Sequence, residues 1–465
     1  MNDVFILPEN LTERGQELAE GQWKPYCEDI QDPFVRGTTA ILMENMRRFF
    51  DRLDETTRIL NIGNFDKFAF PLVKAIFPHL ITQEIVSVQP MAGPSSIIFY
   101  LDFLYGTGKG SIASGSNAFD AIAGPTDNRF YSSDDISQQD VGDGDGATLA
   151  PTLDALNFTP VRQGSVIITA TIAASAVQLF DDGSGNLVDV TGAHTGTVNY
   201  ATGALAITFG TAPDASTQIF ADYRYDSEAN DQIPEMDLQL TSSPVQARSR
   251  KLRMRWSLEA AQNLQALHGI EAEGELVAAT AEQIKFEIDR EVINDLHRIA
   301  LAGHVQWPVT VPTGISFTEH KLSIIDALIE GSNLIFDATK RAQANFLILS
   351  TGVANIIESQ PTFVPEGGAL QTQSTTGVVK IGMLNNRWTC YKDPFLGKGL
   401  TNPKIWIQGF KGSTFLDAGY VYAPYIPLYS TPTIVLDDFV GRKGLATQYG
   451  KRAVNARMYG TGAII

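Results

Sequence analysis

The side chains best suited to metal binding or proton transfer are scattered along this sequence. It has six histidines, and neither a His-Glu-x-x-His nor a Cys-x-x-Cys spacing occurs. Zinc sites use such spacings because they bring two ligands together on one helix face or turn. Two cysteines, Cys27 and Cys390, are too few for a disulfide framework, which favours folding in a reducing compartment. We therefore expect no metal site and no cofactor.

Two glycine-rich segments partly match ligand-binding loops. Gly106–Gly110 has a lysine among glycines, but Phe103 stands where a phosphate loop begins with glycine, and no Ser or Thr follows the lysine. Asp143–Gly146 alternates carboxylates as calcium loops do, yet the next ligand positions are Ala147 and Leu149. A turn and a solvated acidic loop are the favoured interpretations. No Gly-x-Ser-x-Gly nucleophile motif occurs, so we expect no catalytic residues.

Charge is distributed unevenly along the chain. It has 35 basic and 52 acidic residues, a net charge of −17, which argues against a broad nucleic-acid-binding face. Residues 111–236 hold 17 acidic and three basic residues, so this segment alone carries −14. A near-neutral body with one acidic block indicates an insertion. No apolar run approaches the roughly 18 residues that would span a bilayer.

A basic run follows the acidic block and comprises Arg248, Arg250, Lys251, Arg253 and Arg255. Alternate residues of a strand point to the same side, so these side chains could form a basic edge. One interpretation is a solvated strand that leads into the next helix. The other is a patch that pairs with acidic surface on a neighbouring copy. The sequence leaves both open.

The strongest helical pattern spans residues 256–302, with an interruption at Gly269. From Glu271 onwards it predicts a helix of roughly 45 Å. Its apolar stripe steps by three or four residues: Val277, Ala281, Ile284, Ile288, Val292, Leu296 and Ile299. Charged residues, including Asp289 and Arg290, are expected on the opposite face. A helix of this length is a major structural element, not a connector.

Other segments predict strands, turns and an arm. Short β-branched and aromatic runs in 164–226, separated by turns such as Asp181–Asn186, predict a small β-sandwich. Its acidic flank, including Asp140–Gly146, predicts a flexible loop. Strand-like runs at Ile85–Val88 and Ile97–Leu104 predict a hairpin that leaves the body. Residues 319–425 alternate helix and strand, and 415–465 are rich in strands.

The N-terminal segment, residues 1–65, predicts an arm with one amphipathic helix around Met43–Asp54. An arm that is not anchored in its own fold is mobile or lies on a neighbour. Phe70–Phe77 predicts a further short helix.

Six segments, in order, resemble the major capsid proteins of T-even-type tailed bacteriophages. They are spread over most of the chain outside 111–236, and together they are specific although each alone is short. They are Ile76–Ile81, Val86–Pro94, Ser257–Gly269, Asp289–Ile293, Asp417–Leu428 and Thr447–Arg452.

This resemblance implies an α+β, Hong-Kong-97-like capsid fold with an inserted β-sandwich. Its parts would be an N-terminal arm, an extended loop, a peripheral domain on a long spine helix, and an axial domain. The expected order is 1–65 arm, 66–110 start of the peripheral domain and outgoing loop, 111–236 insertion, 237–318 returning loop and spine helix, 319–425 axial domain, and 426–465 return to the peripheral domain.

The implied function is a non-enzymatic major capsid protein that forms hexameric capsomers of an icosahedral head around double-stranded DNA. Its partners would be copies of itself, a vertex protein, a portal, a scaffold, a prohead protease and decoration proteins. The resemblance implies no membrane and no sequence-specific DNA binding. A pentameric vertex protein of the same fold, or a non-viral enzyme or binding protein with an accessory β-sandwich, are the alternatives.

The resemblance also implies cleavage of the arm by a prohead protease, after a Glu that lies two positions beyond Leu or Ile. Of several matching positions, we favour the bond between Glu20 and Gly21, because glycine leaves the backbone open. An uncleaved arm is the equal alternative.

Overall fold

The chain forms two compact units. The computed structural model describes residues 8–56, 80–116, 131–340, 343–366, 377–412, 419–435 and 440–465. Met1–Leu101 and Leu240–Ile465 form one unit, here called the body, and Asp102–Gln239 forms the other, here called the inserted unit. The predicted helix Phe70–Phe77 lies outside the described residues.

Nine α-helices lie in the described residues. They are α1 Pro8–Glu20, α2 Lys24–Cys27, α3 Pro33–Thr56, α4 Thr82–Ile85, α5 Leu258–His268, α6 Ala272–Ile299, α7 Phe317–Leu322, α8 Ile324–Thr339 and α9 Thr351–Glu358. None of them is long and apolar enough to cross a membrane.

The strands of the described residues alternate with these helices only in the second half of the chain. They are β1 Ser87–Val88, β2 Ser95–Tyr105, β3 Asp135–Asp143, β4 Ile167–Ile172, β5 Ser175–Asp181, β6 Asn186–Asp189, β7 Thr195–Val198, β8 Leu205–Thr208, β9 Gln218–Arg224, β10 Met236–Gln246, β11 Arg248–Ser257, β12 His304–Trp307, β13 Phe346–Ser350, β14 Phe363–Pro365, β15 Val379–Leu384, β16 Trp388–Asp393, β17 Ile405–Gly409, β18 Tyr420–Ser430, β19 Ile434–Val435, β20 Val440–Ala453 and β21 Tyr459–Ile464.

The predicted long helix is present as α5 and α6. The Ser257 side chain accepts from the backbone N–H of Ala260 at the start of α5, and Gly269 ends α5 with a φ of 66°. The predicted stripe of α6 is confirmed, because all seven residues lie in the body's core or pack against it. Ile293 is buried beside the stripe.

Asp289 does not lie on an exposed face of α6, although the sequence predicts that it does. It is buried, and its Oδ1 accepts hydrogen bonds from the backbone N–H of Thr82, at 2.9 Å, and from the Thr82 hydroxyl, at 2.6 Å. These bonds tie α6 to the start of α4. Helical periodicity could not reveal this, because the partner lies more than 200 positions earlier in the sequence. The predicted strand Ile85–Val88 is only partly right, since α4 extends to Ile85.

Two sheets organise the body. The first has the strand order β1-β18-β20-β11, with β19 also paired to β20, and α6 packs against its strands β11 and β20. The second has the order β12-β21-β17-β13-β16-β15-β14 and packs against α8 and α9. The segments 237–318 and 426–465, both expected in the peripheral domain, therefore each contribute a strand, β12 and β21, to the sheet of the axial segment.

The N-terminal segment is helical in its described part and packs on the body of its own subunit. Trp23, Cys27, Met43 and Met46 lie in the same buried cluster as the stripe of α6. The Asn45 side-chain amide donates to the backbone carbonyl of Met91 at 2.8 Å. The sequence predicts an arm that is not anchored in its own fold. In the structure, buried side chains anchor α3 in the body.

The inserted unit contains one antiparallel sheet of seven strands, in the order β3-β9-β4-β5-β6-β7-β8. The predicted strands are present, but their pairing is continuous, so a sandwich of two separate sheets is not seen in the described residues. Asp140–Gly146 begins inside β3 and is not simply a flexible loop, since Val141 is fully buried. Asn186, which the sequence predicts as the end of a turn, begins β6. The predicted hairpin between Ile85–Val88 and Ile97–Leu104 is wrong, because β1 pairs with β18 and β2 pairs with β10 instead.

Candidate assembly surface

The basic run lies on β11, an end strand of its sheet in the described residues, and strand alternation divides it between two faces. Arg248 and Arg250 share a face with the buried Met254. The other face, here called the basic face, comprises Lys251, Arg253 and Arg255. The five cations therefore do not form a single edge.

The basic face is open to solvent. Lys251, Arg253 and Arg255 are all exposed, and none has an ion-pair partner among the described residues. Their neighbours on β20 are Ala446, Gly444 and Arg442, respectively. Because alanine and glycine have almost no side chain, the residues directly opposite on β20 do not cover Lys251 or Arg253. Arg442 lies directly opposite Arg255, and the sequence does not reveal this because the two residues are almost 200 positions apart.

Arg250 is occupied within its own subunit. Its Nη1 lies 2.6 Å from Glu287 Oε2, and its Nη2 is hydrogen-bonded to Glu291. Both carboxylates lie on α6, one turn apart, so the guanidinium joins the spine helix to β11. Arg250 is thus a structural cation. It does not fit the interpretation of the run as a patch that pairs with a neighbouring copy.

Lys451 completes this ionic network from β20. Its Nζ lies 2.6 Å from Glu291 Oε1 and 2.5 Å from Asp295 Oδ2. The Tyr420 hydroxyl donates to the same Asp295 oxygen at 2.8 Å. Half-buried charges need such partners, because an unpaired charge there would lose its hydration without compensation.

The network controls the protonation of Glu291. Burial raises the pKa of its carboxyl, but hydrogen bonds from Lys451 and Tyr449 and the charges of Lys451 and Arg250 outweigh burial, so the pKa is lowered overall. The same partners hold Glu291 ionised near neutral pH. The pKa of Lys451 is raised, because its carboxylate partners outweigh the effect of its own burial.

The glycine-rich segment around Lys109 is structural. Lys109 is buried, and its Nζ donates to the backbone carbonyl of Tyr131 at 3.0 Å and to that of Ser133. Burial lowers the pKa of Lys109, although the charges of Asp135 and Asp134 oppose this. The lysine ties this segment to the chain at Tyr131–Ser133, and this geometry supports the interpretation of Gly106–Gly110 as a turn.

The possible calcium segment also uses its carboxylate for local structure. Asp145 Oδ1 accepts from the backbone N–H groups of Ala147, at 2.9 Å, and Thr148, at 2.7 Å. The Thr148 hydroxyl and these N–H groups lower the pKa of Asp145 to about 2. No group of three or more His, Cys, Asp or Glu side chains suited to a metal lies within the described residues.

The candidate cleavage bond lies at the end of α1. Glu20 and Gly21 are exposed, and the Gly21 N–H donates to the Glu17 carbonyl at 2.9 Å. Ala19 before the bond and Trp23 after it are buried. A protease could therefore reach the bond itself, while its flanks are fixed to the body.

Known proteins identify the family. The family described as Major capsid protein Gp23 matches residues 62–463, most of the chain. This chain belongs to that family. It is therefore a structural subunit of a bacteriophage capsid, and the resemblance drawn from the six sequence segments is confirmed.

Curated relatives with the name Major capsid protein support the same conclusion. The chain is 27% identical to that of Vibrio phage KVP40 over 423 residues, which cover 85% of this chain and 76% of the relative. It is 29% identical to that of Enterobacteria phage T6 over 426 residues, 82% of this chain and 76% of the relative. For Serratia phage KSP90 the identity is 25%, with 93% of this chain and 89% of the relative covered.

Solved capsid structures are more distant. The chain is similar to the capsid protein of Myoviridae Phage XM1, with a TM-score of 0.35, 11% identity, and 52% of this chain and 81% of that chain covered. The described helices and strands confirm the α+β class. The Hong-Kong-97-like capsid fold follows from membership of the family, and the long helix α6 that follows strands β10 and β11 fits it.

Proposed function

We propose that this capsid subunit forms hexameric capsomers of an icosahedral head that encloses double-stranded DNA. The match to the major capsid family over residues 62–463 carries this proposal. The same match favours a shell subunit over the pentameric vertex protein, because the curated relatives bear the name Major capsid protein. The protein is structural, and its specificity lies in contacts between copies.

The basic face is the part of β11 available for such contacts. Lys251, Arg253 and Arg255 are exposed without a partner in the described residues, whereas Arg250 is neutralised by α6. The acidic inserted unit supplies the complementary charge, and every copy carries both. We place the carboxylates of one copy's inserted unit on the basic face of a neighbour, where they act as a clamp.

Single surface ion pairs contribute only about 0–1 kcal/mol each. A clamp must therefore use several pairs together with apolar contact. Exposed apolar side chains are available on both units, such as Phe180 and Val188 in the inserted unit and Ile434 in the body. Phe180 and Val188 are direct cross-strand neighbours on β5 and β6. Weak repeated contacts suit a shell, since they let misplaced subunits dissociate during growth.

The other proposed partners act around the same subunit. They are a vertex protein, a portal, a scaffold, a prohead protease that cuts between Glu20 and Gly21, and decoration proteins. The exposure of Glu20 and Gly21 supports the position of cleavage. The intact mass of subunits from mature particles tests this step, and an uncut N-terminus would refute it.

Cryo-electron microscopy of particles assembled from the chain tests the main proposal. We expect closed shells in which this chain occupies six-fold capsomers. Occupancy of the five-fold vertices alone would assign the chain the vertex role. Soluble monomers that never assemble, under conditions where their fold is intact, would contradict the capsid proposal altogether.

A further inference from the structure

A crevice in the body lies between α6 and the loop at 394–400. Arg290 and Arg298 line it from α6, and Lys398 lines it from the loop. None of these three cations has an ion-pair partner within 4 Å among the described residues. Burial raises the pKa of the nearby Asp393 carboxyl, and the charges of Arg290 and Lys398 oppose this from a greater distance. The remaining charges that line the crevice belong to the network around Arg250 and Lys451, where acids and bases neutralise one another. The crevice therefore carries an excess of positive charge in a chain whose net charge is −17.

Arg290 lies against an aromatic ring of the loop. Its guanidinium carbon lies 4.7 Å from the centre of the Phe395 ring, and Lys398 Nζ lies 4.6 Å from the same ring. The Nη1 atom of Arg290 is buried, with no hydrogen-bond partner in the described residues. A buried charged donor without an acceptor lowers the stability of the subunit, and because Nη1 has no exposed surface, only the other N–H groups of this half-buried side chain can meet an acceptor from outside.

The loop that faces Arg290 is held in a fixed shape. Asp393 Oδ1 accepts from the Phe395 backbone N–H at 2.8 Å, and the Phe395 ring packs 5.1 Å from that of Phe286 on α6. Gly397 has a φ of 82°, and a Cβ there would lie 2.5 Å from the Pro403 carbonyl oxygen. The crevice is thus preorganised, which lowers the entropy lost when a ligand binds.

We propose that this crevice binds a carboxylate side chain from a second copy of the chain, with Arg290 as its principal ligand. This inference rests on the assembly of the subunit into shells. A guanidinium edge matches a carboxylate in a two-pronged hydrogen bond, and the aromatic face behind it fixes its plane. A single carboxylate fits better than a DNA backbone, because the excess positive charge of the crevice is confined to Arg290, Arg298 and Lys398, too few for the series of phosphate contacts that duplex binding needs.

Arg290→Met separates a docking role from a structural one. Methionine retains an apolar stem against Phe395 and removes the unpartnered donor. We expect the thermal midpoint of the unassembled subunit to be unchanged or higher, while the concentration needed for assembly rises about tenfold, as for loss of one charge-assisted hydrogen bond. Arg290→Lys, which keeps the charge and loses the fork, should recover only part of the loss. The control, Lys404→Met, removes an exposed charge outside the crevice and should assemble normally.

Two results would overturn the proposal. One is unchanged assembly of Arg290→Met. The other is a parallel loss of midpoint and assembly, which would make Arg290 a residue of subunit stability. A map of wild-type shells gives an independent answer, with a carboxylate of another copy expected within about 3 Å of the Arg290 guanidinium. Solvent or DNA phosphate in that place would refute the inference and leave the shell function intact.

Discussion

At the scale of single residues, Arg250 and Arg253 give a matched pair of cations on one strand. Arg250 bridges two carboxylates of α6, whereas Arg253 faces solvent. Arg250→Met leaves Glu287 and Glu291 without that partner, so we expect the free energy of unfolding of the unassembled subunit to fall by about 1–3 kcal/mol. Arg253→Met should change it by less than about 0.5 kcal/mol and weaken assembly instead. Denaturant unfolding and light scattering measure the two effects, and equal unfolding curves would contradict the division of β11 into two faces.

The carboxyl of Glu291 should make subunit stability depend on pH. Its pKa in the folded protein is lowered from an ordinary value of 4.5. A lowered folded pKa adds stability above the unfolded pKa, and this stability is lost as the pH falls through the folded pKa. We therefore expect the free energy of unfolding to decrease as the pH falls below about 4.5, and Glu291→Gln to show a smaller decrease. Glu282→Gln, on the exposed side of α6, is the control and should follow the wild type.

At the scale of elements, periodic apolar residues predicted the spine helix well because its stripe depends only on neighbours within the helix. Asp289 broke the pattern, since its burial depends on Thr82 from a distant segment. The sequence pattern does not predict strands β3 and β6, for a different reason. Their Asp, Gly and Asn residues are typical of turns, and only pairing with β9, β5 and β7 makes them strands. The basic run is visible in the sequence. The pairing of Arg250 with Glu287 and Glu291 is not, because it depends on how α6 packs against β11.

The helices of the N-terminal segment lead to a prediction about truncation. A chain that starts at Gly21 loses α1 but keeps α3, whose Leu42, Met43 and Met46 are fully buried. We expect it to fold and assemble. A chain that starts at residue 50 loses all three side chains, each worth about 2–5 kcal/mol when truncated, so it should not form a stable subunit. Circular dichroism and sedimentation of the two purified chains check this, and a stable subunit from the shorter chain would show that α3 is dispensable for the fold.

At the scale of the whole molecule, charge predicts how the subunit treats DNA. The chain has a net charge of −17, and the basic face of β11 is small. Tight duplex binding requires several phosphate contacts that release counterions. We expect purified subunits to show no nanomolar affinity for duplex DNA at physiological salt, measured by fluorescence anisotropy. A tight affinity with a steep salt dependence would mean that the head holds its DNA by neutralising phosphates and not by confinement alone.

The inserted unit offers the most direct test of the clamp. Its β3 pairs with β9, so deletion of 164–226 alone would leave β3 without its partner. A better deletion replaces 107–234 with a short Gly-Ser turn, because the Gly106 N–H donates to the Glu235 carbonyl at 2.8 Å and the two ends are therefore adjacent. We expect the body to fold and to form shells that dissociate at lower temperature than full-length shells.

Arg253→Glu in the full-length chain should weaken shells in the same way, because it repels the acidic unit of a neighbour. Thermal dissociation followed by light scattering compares them. If the deleted shells are as stable as full-length shells, the inserted unit is an outer decoration that adds charge and solubility, and the basic face contacts something else.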